Sequence, residues 1–388
     1  MKNIFFTGCW LFGILALQAQ GLISKPSYLK TELDSLLETQ IVVSLDSLFH
    51  DMSDFKLSTK YLKEEESELT KAVLNRYFVS SIRRKRTFFK DYSFKLINLY
   101  ETKKNNYFLT VVVTKLKSNE VHHIIDLLAT PTNQKIVFFT PIKHHAQFWK
   151  NHTVGNITYH FRDTISLLNA KEFDRKNTLI SQKLGLTPDS FDFYMCYNEQ
   201  EVLNLLGIRF LSDRVGLTRN GFGVYTKTIC AIENHEDFSH DVFHYYSGKV
   251  NQPQDRNWIT EEGVAYLWGN AYYTDPNGEM VLLTRLVSEL NAYLDSHPDA
   301  KLFELFERNT KIFSHIAPEI SVRSTIAGVL AHEIENKKGQ EGINTLINAG
   351  SKNRLETFLT ATEHLISVNK HNFNTRVKKL LKRYPTEE

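Results

Sequence analysis

The sequence predicts a mixed α+β protein in two domains, and three features of its patterning predict it. Residues 27–75 carry apolar side chains at helical spacing; residues 107–140 then change to a strand texture rich in valine and threonine. A second alternation of helix and strand begins near residue 156 and ends in an almost wholly helical stretch over 280–384. The length of 388 residues also favours two domains over one. The expected division is a signal segment 1–19, an N-terminal α+β domain over 20–160 and a second domain over 161–388.

Taken in order, the N-terminus comes first. Lys2 precedes an apolar run over residues 4–17, and Gln18-Ala19-Gln20-Gly21 follows. A positive start, a short apolar core and a small residue at the exit describe a secretory signal peptide, with cleavage expected after Ala19. The run is too short to span a bilayer comfortably, and Cys9 lies too near Met1 for a lipoprotein anchor. The expected product is exported, periplasmic or extracellular, with no integral membrane segment once the signal is removed. In residues 27–75, Leu29, Leu33, Leu36 and Leu37 fall on one helical face. The run Arg83-Arg84-Lys85-Arg86 reads as a solvated helix end.

Strands are expected over 107–116, 121–128 and 135–140, the last two separated by Thr130-Pro131-Thr132-Asn133. His122-His123 and His144-His145 are adjacent pairs. Neighbours in a strand point to opposite faces, so neither pair reads as a ligand pair. With 47 basic against 44 acidic residues, a formal charge of +3 gives no reason to expect a nucleic-acid partner.

In the second domain, 170–184 reads as a helix, 190–196 as a strand, and 199–206 as a helix ended by Gly207. A strand is expected over 223–232 and helices over 234–247 and 260–271. In the helical stretch, Leu283, Leu286, Val287, Leu290 and Leu294 form one apolar stripe, and Leu355, Phe358 and Leu359 another, both expected to be core. Cys196 and Cys230 sit in strand-like stretches; whether they pair depends on their Cα separation.

The chemistry concentrates in His240-Asp241-Val242-Phe243-His244. Residues four apart lie one above the other on a helix, so two imidazoles at that spacing can converge on one ion. Catalytic zinc takes three protein ligands and keeps a fourth position open. Glu262 is the candidate third ligand. It begins a second helix that Thr260 is expected to cap, and Gly263 after it permits close helix packing.

His240–His244 resembles the HExxH helix of the gluzincin zinc metallopeptidases, the peptidase MA-like class. Glu262-Gly263-Val264-Ala265-Tyr266 is similar to their glutamate-bearing second helix, and the 17 residues between His244 and Glu262 are close to the interval in that class. The resemblance covers about residues 160–350. It implies a small sheet beside the metal helix, with the 223–232 strand as an edge able to pair with extended peptide, followed by a mainly helical part. It also implies a zinc-dependent hydrolase acting on a peptide or protein substrate, and it prefers Glu262 over Glu261 because Glu262 directly precedes the glycine.

The sequence departs from that pattern at Asp241, where the class has the glutamate that serves as general base. Aspartate is shorter by one methylene, about 1.5 Å of reach. The alternative to a working peptidase is therefore a weak or inactive exported homologue with a binding or structural role. Tyr272, Tyr273, His315 and His332 are candidates to stabilise an oxyanion. His235 is out of helical phase with His240, and His332-Glu333-Ile334-Glu335-Asn336 lacks a second histidine. A third possibility makes the N-terminal domain the functional part, binding a polysaccharide or a protein.

Overall fold

The structure is a computed structural model. It describes residues 21–53, 59–80, 82, 89–103, 105–132, 135–214, 223–232 and 235–385. The expected signal segment, Cys9 and the basic run at 83–86 lie outside the described residues. The chain is mixed α+β, with two sheets among the described residues. Two units separate: one runs up to Pro141 and takes back Ile208–Asp213, and the other holds Ile142–Gly207 and the chain from Arg214 onward. The expected boundary at 160 thus falls inside the second unit. Strands resume at Lys150 after only a short helix and turn, and no low-complexity linker marks the change of sheet.

In the first unit, β1 (Ile23–Ser24) and α1 (Ser35–Ser53) precede α2 (Ser67–Val73), which runs on as a π-helical turn over Leu74–Val79. Strands β2 (Tyr92–Glu101), β3 (Tyr107–Lys115), β4 (Val121–Pro131) and β5 (Ile136–Phe139) follow. They lie in the order β1-β2-β3-β4-β5, and β9 (Ile208–Leu211) also pairs with β4. Helix α1 starts later than expected, because the Asp34 carboxylate accepts from the N–H groups of Leu36 and Leu37 and fixes the start there. Leu29 and Leu33 therefore precede it and Leu36 is exposed, while Ile41, Leu45, Leu48, Phe49 and Met52 form its buried face. The β3–β4 register passes from Val113↔His123 to Thr114↔Val121, a bulge at His122. It removes the strict alternation expected there: His122 and His123 are both buried, with their Nδ1 atoms 2.5 Å apart.

The second unit begins with a short helix α3 (Ile142–His145), so His144-His145 are helical rather than in a strand. Then come β6 (Lys150–Val154), β7 (Ile157–Phe161), α4 (Leu167–Lys183), β8 (Phe191–Met195) and α5 (Glu199–Leu205). The expected strand 223–232 is a tight hairpin instead. It comprises β10 (Val224–Tyr225) and β11 (Thr228–Ala231), joined through Thr226 at φ +57°. The sheet order is β10-β11-β8-β7-β6, with β7, β8 and β11 parallel and both edges antiparallel. Cys196 and Cys230 are buried free thiols on this sheet.

Among the described residues seven helices follow: α6 (Ser239–Val250), α7 (Trp258–Trp268), α8 (Leu283–Ser296), α9 (Leu302–Arg308), α10 (Val322–Ile347, broken at Gly339), α11 (Arg354–Ile366) and α12 (Phe373–Arg383). One continuous apolar core joins the sheet to them, and the stripe Leu283, Leu286, Val287, Leu290 and Leu294 is buried in it throughout. Phe358 is buried too, with Leu355 and Leu359 half-buried against the same core. Helices α7 and α10 cross backbone to backbone. A Cβ on Gly263 would lie 2.7 Å from the Ala327 carbonyl carbon, and one on Gly328 would lie 2.9 Å from the Gly263 carbonyl oxygen. No helix of the described residues is long and apolar enough to cross a membrane.

Candidate metal centre

Helix α6 begins in a buried polar turn. The Asp237 carboxylate accepts from the Ser239 N–H at 2.8 Å and pairs with Lys176 of α4 at 2.7 Å. Lys176 also donates to the carbonyl of Gly269 at the end of α7, which ties the start of one helix to the end of the other. A Cβ on Gly269 would approach the His240 backbone nitrogen to 2.9 Å, so the contact requires glycine. His235 belongs to this turn, its Nδ1 accepting from the Asp237 N–H at 2.9 Å, and burial pushes its pKa down.

The start of α7 is capped by Asn257, whose Oδ1 accepts from the N–H groups of Ile259 and Thr260 at 3.0 and 3.3 Å. Thr260, the expected cap, lies inside the helix and donates its hydroxyl to the carbonyl of Leu346 at 2.9 Å. A polar residue earlier in the turn outcompetes it, because a cap must stand outside the first helical turn to reach its free N–H groups.

These anchors bring His240, His244 and Glu262 together. The two Nε2 atoms are 3.3 Å apart, and the Glu262 oxygens lie 3.3 Å from His244 Nε2 and 3.6 Å from His240 Nε2. Tetrahedral coordination with zinc–ligand distances of about 2.0–2.2 Å spaces ligand atoms about 3.3–3.6 Å apart. With one ligand atom taken from each residue, the two imidazole nitrogens and a carboxylate oxygen lie within 4.8 Å of one another and can hold a metal ion. The outward-facing nitrogens are also held: His240 Nδ1 donates to the Asn270 carbonyl at 3.0 Å, and His244 Nδ1 lies 3.2 Å from a Glu261 oxygen. Bonding Nδ1–H in this way leaves the Nε2 lone pairs for the ion.

Glu261 is fully buried and takes no place among the three converging ligand atoms. One of its oxygens meets His244 and the Arg256 guanidinium, and the other accepts from the Ser247 hydroxyl. Burial alone would raise the Glu261 and Glu262 carboxyls. The facing histidines, and Arg256 for Glu261, hold both below the usual range. Burial acts against the charged form of His244, but the two glutamates outweigh it and push its pKa up to about 10.

The remaining expected residues are dispersed. Asp241 is partly exposed in the first turn of α6 and does not join the converging group. His315 is an exposed partner of Glu289 at 3.8 Å, and His332 packs against Tyr384 while bonding Asn336. Tyr273 is buried in a stack on Phe238, and Tyr272 bridges to Val281 through its backbone. Tyr266 lies 5.7 Å from the His240 ring, and its hydroxyl accepts from the Ser321 N–H. Trp258 is 47% exposed and stacks on the His244 ring at 5.1 Å, forming an aromatic rim. Arg256, Asn270 and Trp258 carry no periodic signal in the sequence, so nothing singled them out. Glu261 was visible only as a rival ligand about 100° round the helix from Glu262. Comparison with protein-family models and with curated proteins finds no match to this chain.

Proposed function

We propose that the chain is an exported zinc-dependent hydrolase of the gluzincin type, acting on peptide bonds. The observation that carries this reading is the convergence of His240, His244 and Glu262 at 3.3–3.6 Å with both outward imidazole nitrogens held. Further support comes from the order of elements in the second unit: a small sheet with β10 at its edge, the two-histidine helix α6, the Glu-Gly helix α7, then helices to the end. Export rests on Lys2, the apolar run 4–17 and Ala19.

His240 and His244 would bind zinc through Nε2 and Glu262 through a carboxylate oxygen. The metal supplies Lewis acidity, which polarises a carbonyl and makes water a stronger acid. The chain's own groups do the rest. The Asn270 carbonyl and Glu261 keep both imidazoles in the ligating tautomer. Asp241, next to His240, accepts the proton of the attacking water and returns it to the leaving amine. Trp258 shields one flank of the site.

The shorter reach of aspartate favours a second reading, a metal-binding homologue without hydrolysis. Protein purified without chelator is expected to carry one zinc per chain by elemental analysis. Asp241→Asn should keep the metal and lose about 10²–10⁴-fold in peptidase rate if Asp241 is the base. Zinc binding with no hydrolysis in the native protein, and hydrolysis restored in Asp241→Glu, would establish the second reading. Protein that neither carries nor takes up zinc would exclude both.

A further inference from the structure

Far along the chain from the histidines, an open, shallow groove of about 690 Å3 lies between the segment 298–301 and α12. Lys301, Lys378, Lys379, Lys382 and Arg383 line it, against Asp299 as the one carboxylate of the wall. Over the whole chain the charges nearly cancel, at 47 basic to 44 acidic residues, so this is a local concentration. Helix α12, with the sequence FNTRVKKLLKR, contains no acidic residue at all. Lys301 has Glu304 at 3.6 Å and Arg383 has Glu333 at 3.9 Å. No carboxylate among the described residues lies within ion-pair distance of Lys378, Lys379 or Lys382.

Two features argue that this is more than a solvated face. Lys378 and Lys382, like Lys379 and Arg383, are like charges at i,i+4, an arrangement that destabilises a helix unless an anion offsets it. The helix dipole accounts for cations in the last turn only, and Lys378 and Lys379 stand before it. The opposite face of α12, with Phe373, Val377, Leu380 and Leu381, is buried in the core. The helix therefore cannot roll to insert into a bilayer, and its cations are held toward solvent before any ligand arrives.

We propose that this groove binds a soluble polyanion carrying two or more phosphate groups. Cations on two segments, Lys301 on one and Lys378, Lys379 and Lys382 on the other, suit a discrete multivalent anion, whereas insertion into a bilayer would need the apolar face of α12, which is buried. The proposal is independent of the metal centre.

The test is a calorimetric titration of the full chain with inorganic tripolyphosphate at about 0.05 M and about 0.5 M salt, where screening differs strongly. Stoichiometric binding is expected, weakened at high salt. The triple variant Lys378→Gln, Lys379→Gln, Lys382→Gln should lose affinity about tenfold or more, since charge-assisted contacts to phosphate are lost. Removing three lysines elsewhere (Lys103→Gln, Lys117→Gln, Lys352→Gln) should leave affinity unchanged. An unaltered melting temperature verifies the fold of the triple variant. If it melts early, Lys379→Glu alone must show the loss. Absence of tripolyphosphate binding, an equal loss in the control variant, or binding only to phosphatidylglycerol vesicles would each overturn the proposal.

Discussion

Glu261 and Glu262 are neighbours with the same chemistry, and the helix separates their tasks. Successive residues diverge by about 100°, so only one carboxylate can face the gap between the imidazoles. The other turns toward the half-buried Arg256 guanidinium, Ser247 and the Nδ1 of His244. A carboxylate that holds a ligating histidine from behind typically supports metal affinity by about 10–100-fold. Glu261→Gln keeps an acceptor for the histidine but removes the charge facing Arg256. Zinc affinity measured by chelator competition should fall within that range. A variant that binds zinc as tightly as the native protein would show that Glu261 serves packing alone. Sequence reasoning reached the three converging side chains: the two histidines through helical phase, which is a local rule, and Glu262 through the resemblance carried by its Glu-Gly context. It did not reach Arg256, Asn270 or Trp258, because what brings them to the site is the placement of one helix on another.

At the scale of elements, legibility follows the same division. Strands β3, β4, β5 and β8, the helix α4 and the stripe of α8 lie close to where alternation and helical periodicity put them. The failures occur where a single polar group or a kink decides: Asp34 sets the start of α1, Asn257 displaces Thr260 as the cap of α7, and the positive φ of Thr226 folds one expected strand into a hairpin. Gly263 was read as permitting close helix packing, and its contact with Ala327 and Gly328 is closer than any side chain allows. Gly263→Ala would gain helix propensity but force α7 and α10 apart. Overpacking of this kind costs about 1–3 kcal/mol. Urea denaturation should show a lower midpoint, and zinc should bind more weakly because Glu262 sits on the displaced helix. A midpoint equal to that of the native protein would mean that the two helices separate without cost.

For the molecule as a whole, texture foretold a mixed α+β chain but not where one unit ends. No low-complexity linker marks the passage from the first sheet to β6 and β7, and the return of β9 to the first sheet depends on pairing partners 83–88 residues away in sequence. Stability, by contrast, has a local cause with a global readout. In the metal-free protein the pKa of His244 is raised from 6.5 to about 10. Its contribution to stability is complete below pH 6.5 and is lost as pH rises toward about 10, because the folded state holds a proton that the unfolded chain releases. Glu261 and Glu262 are lowered from 4.5, so their contribution is complete above that pH and is lost on acidification. The metal-free protein should therefore be most stable between pH 4.5 and 6.5 as far as these groups decide. On the proposed reading zinc must displace the His244 proton, so its affinity should climb by about tenfold per pH unit over the range in which that proton is bound. At a fixed zinc concentration, stabilisation grows with the logarithm of affinity. Thermal melts with and without zinc should thus diverge as the pH is raised from about 6 to about 9, the metal-free midpoint falling while the zinc-induced gain increases. Parallel curves across that range would show that zinc displaces no proton there, so that His244 is either not a ligand or already neutral without the metal.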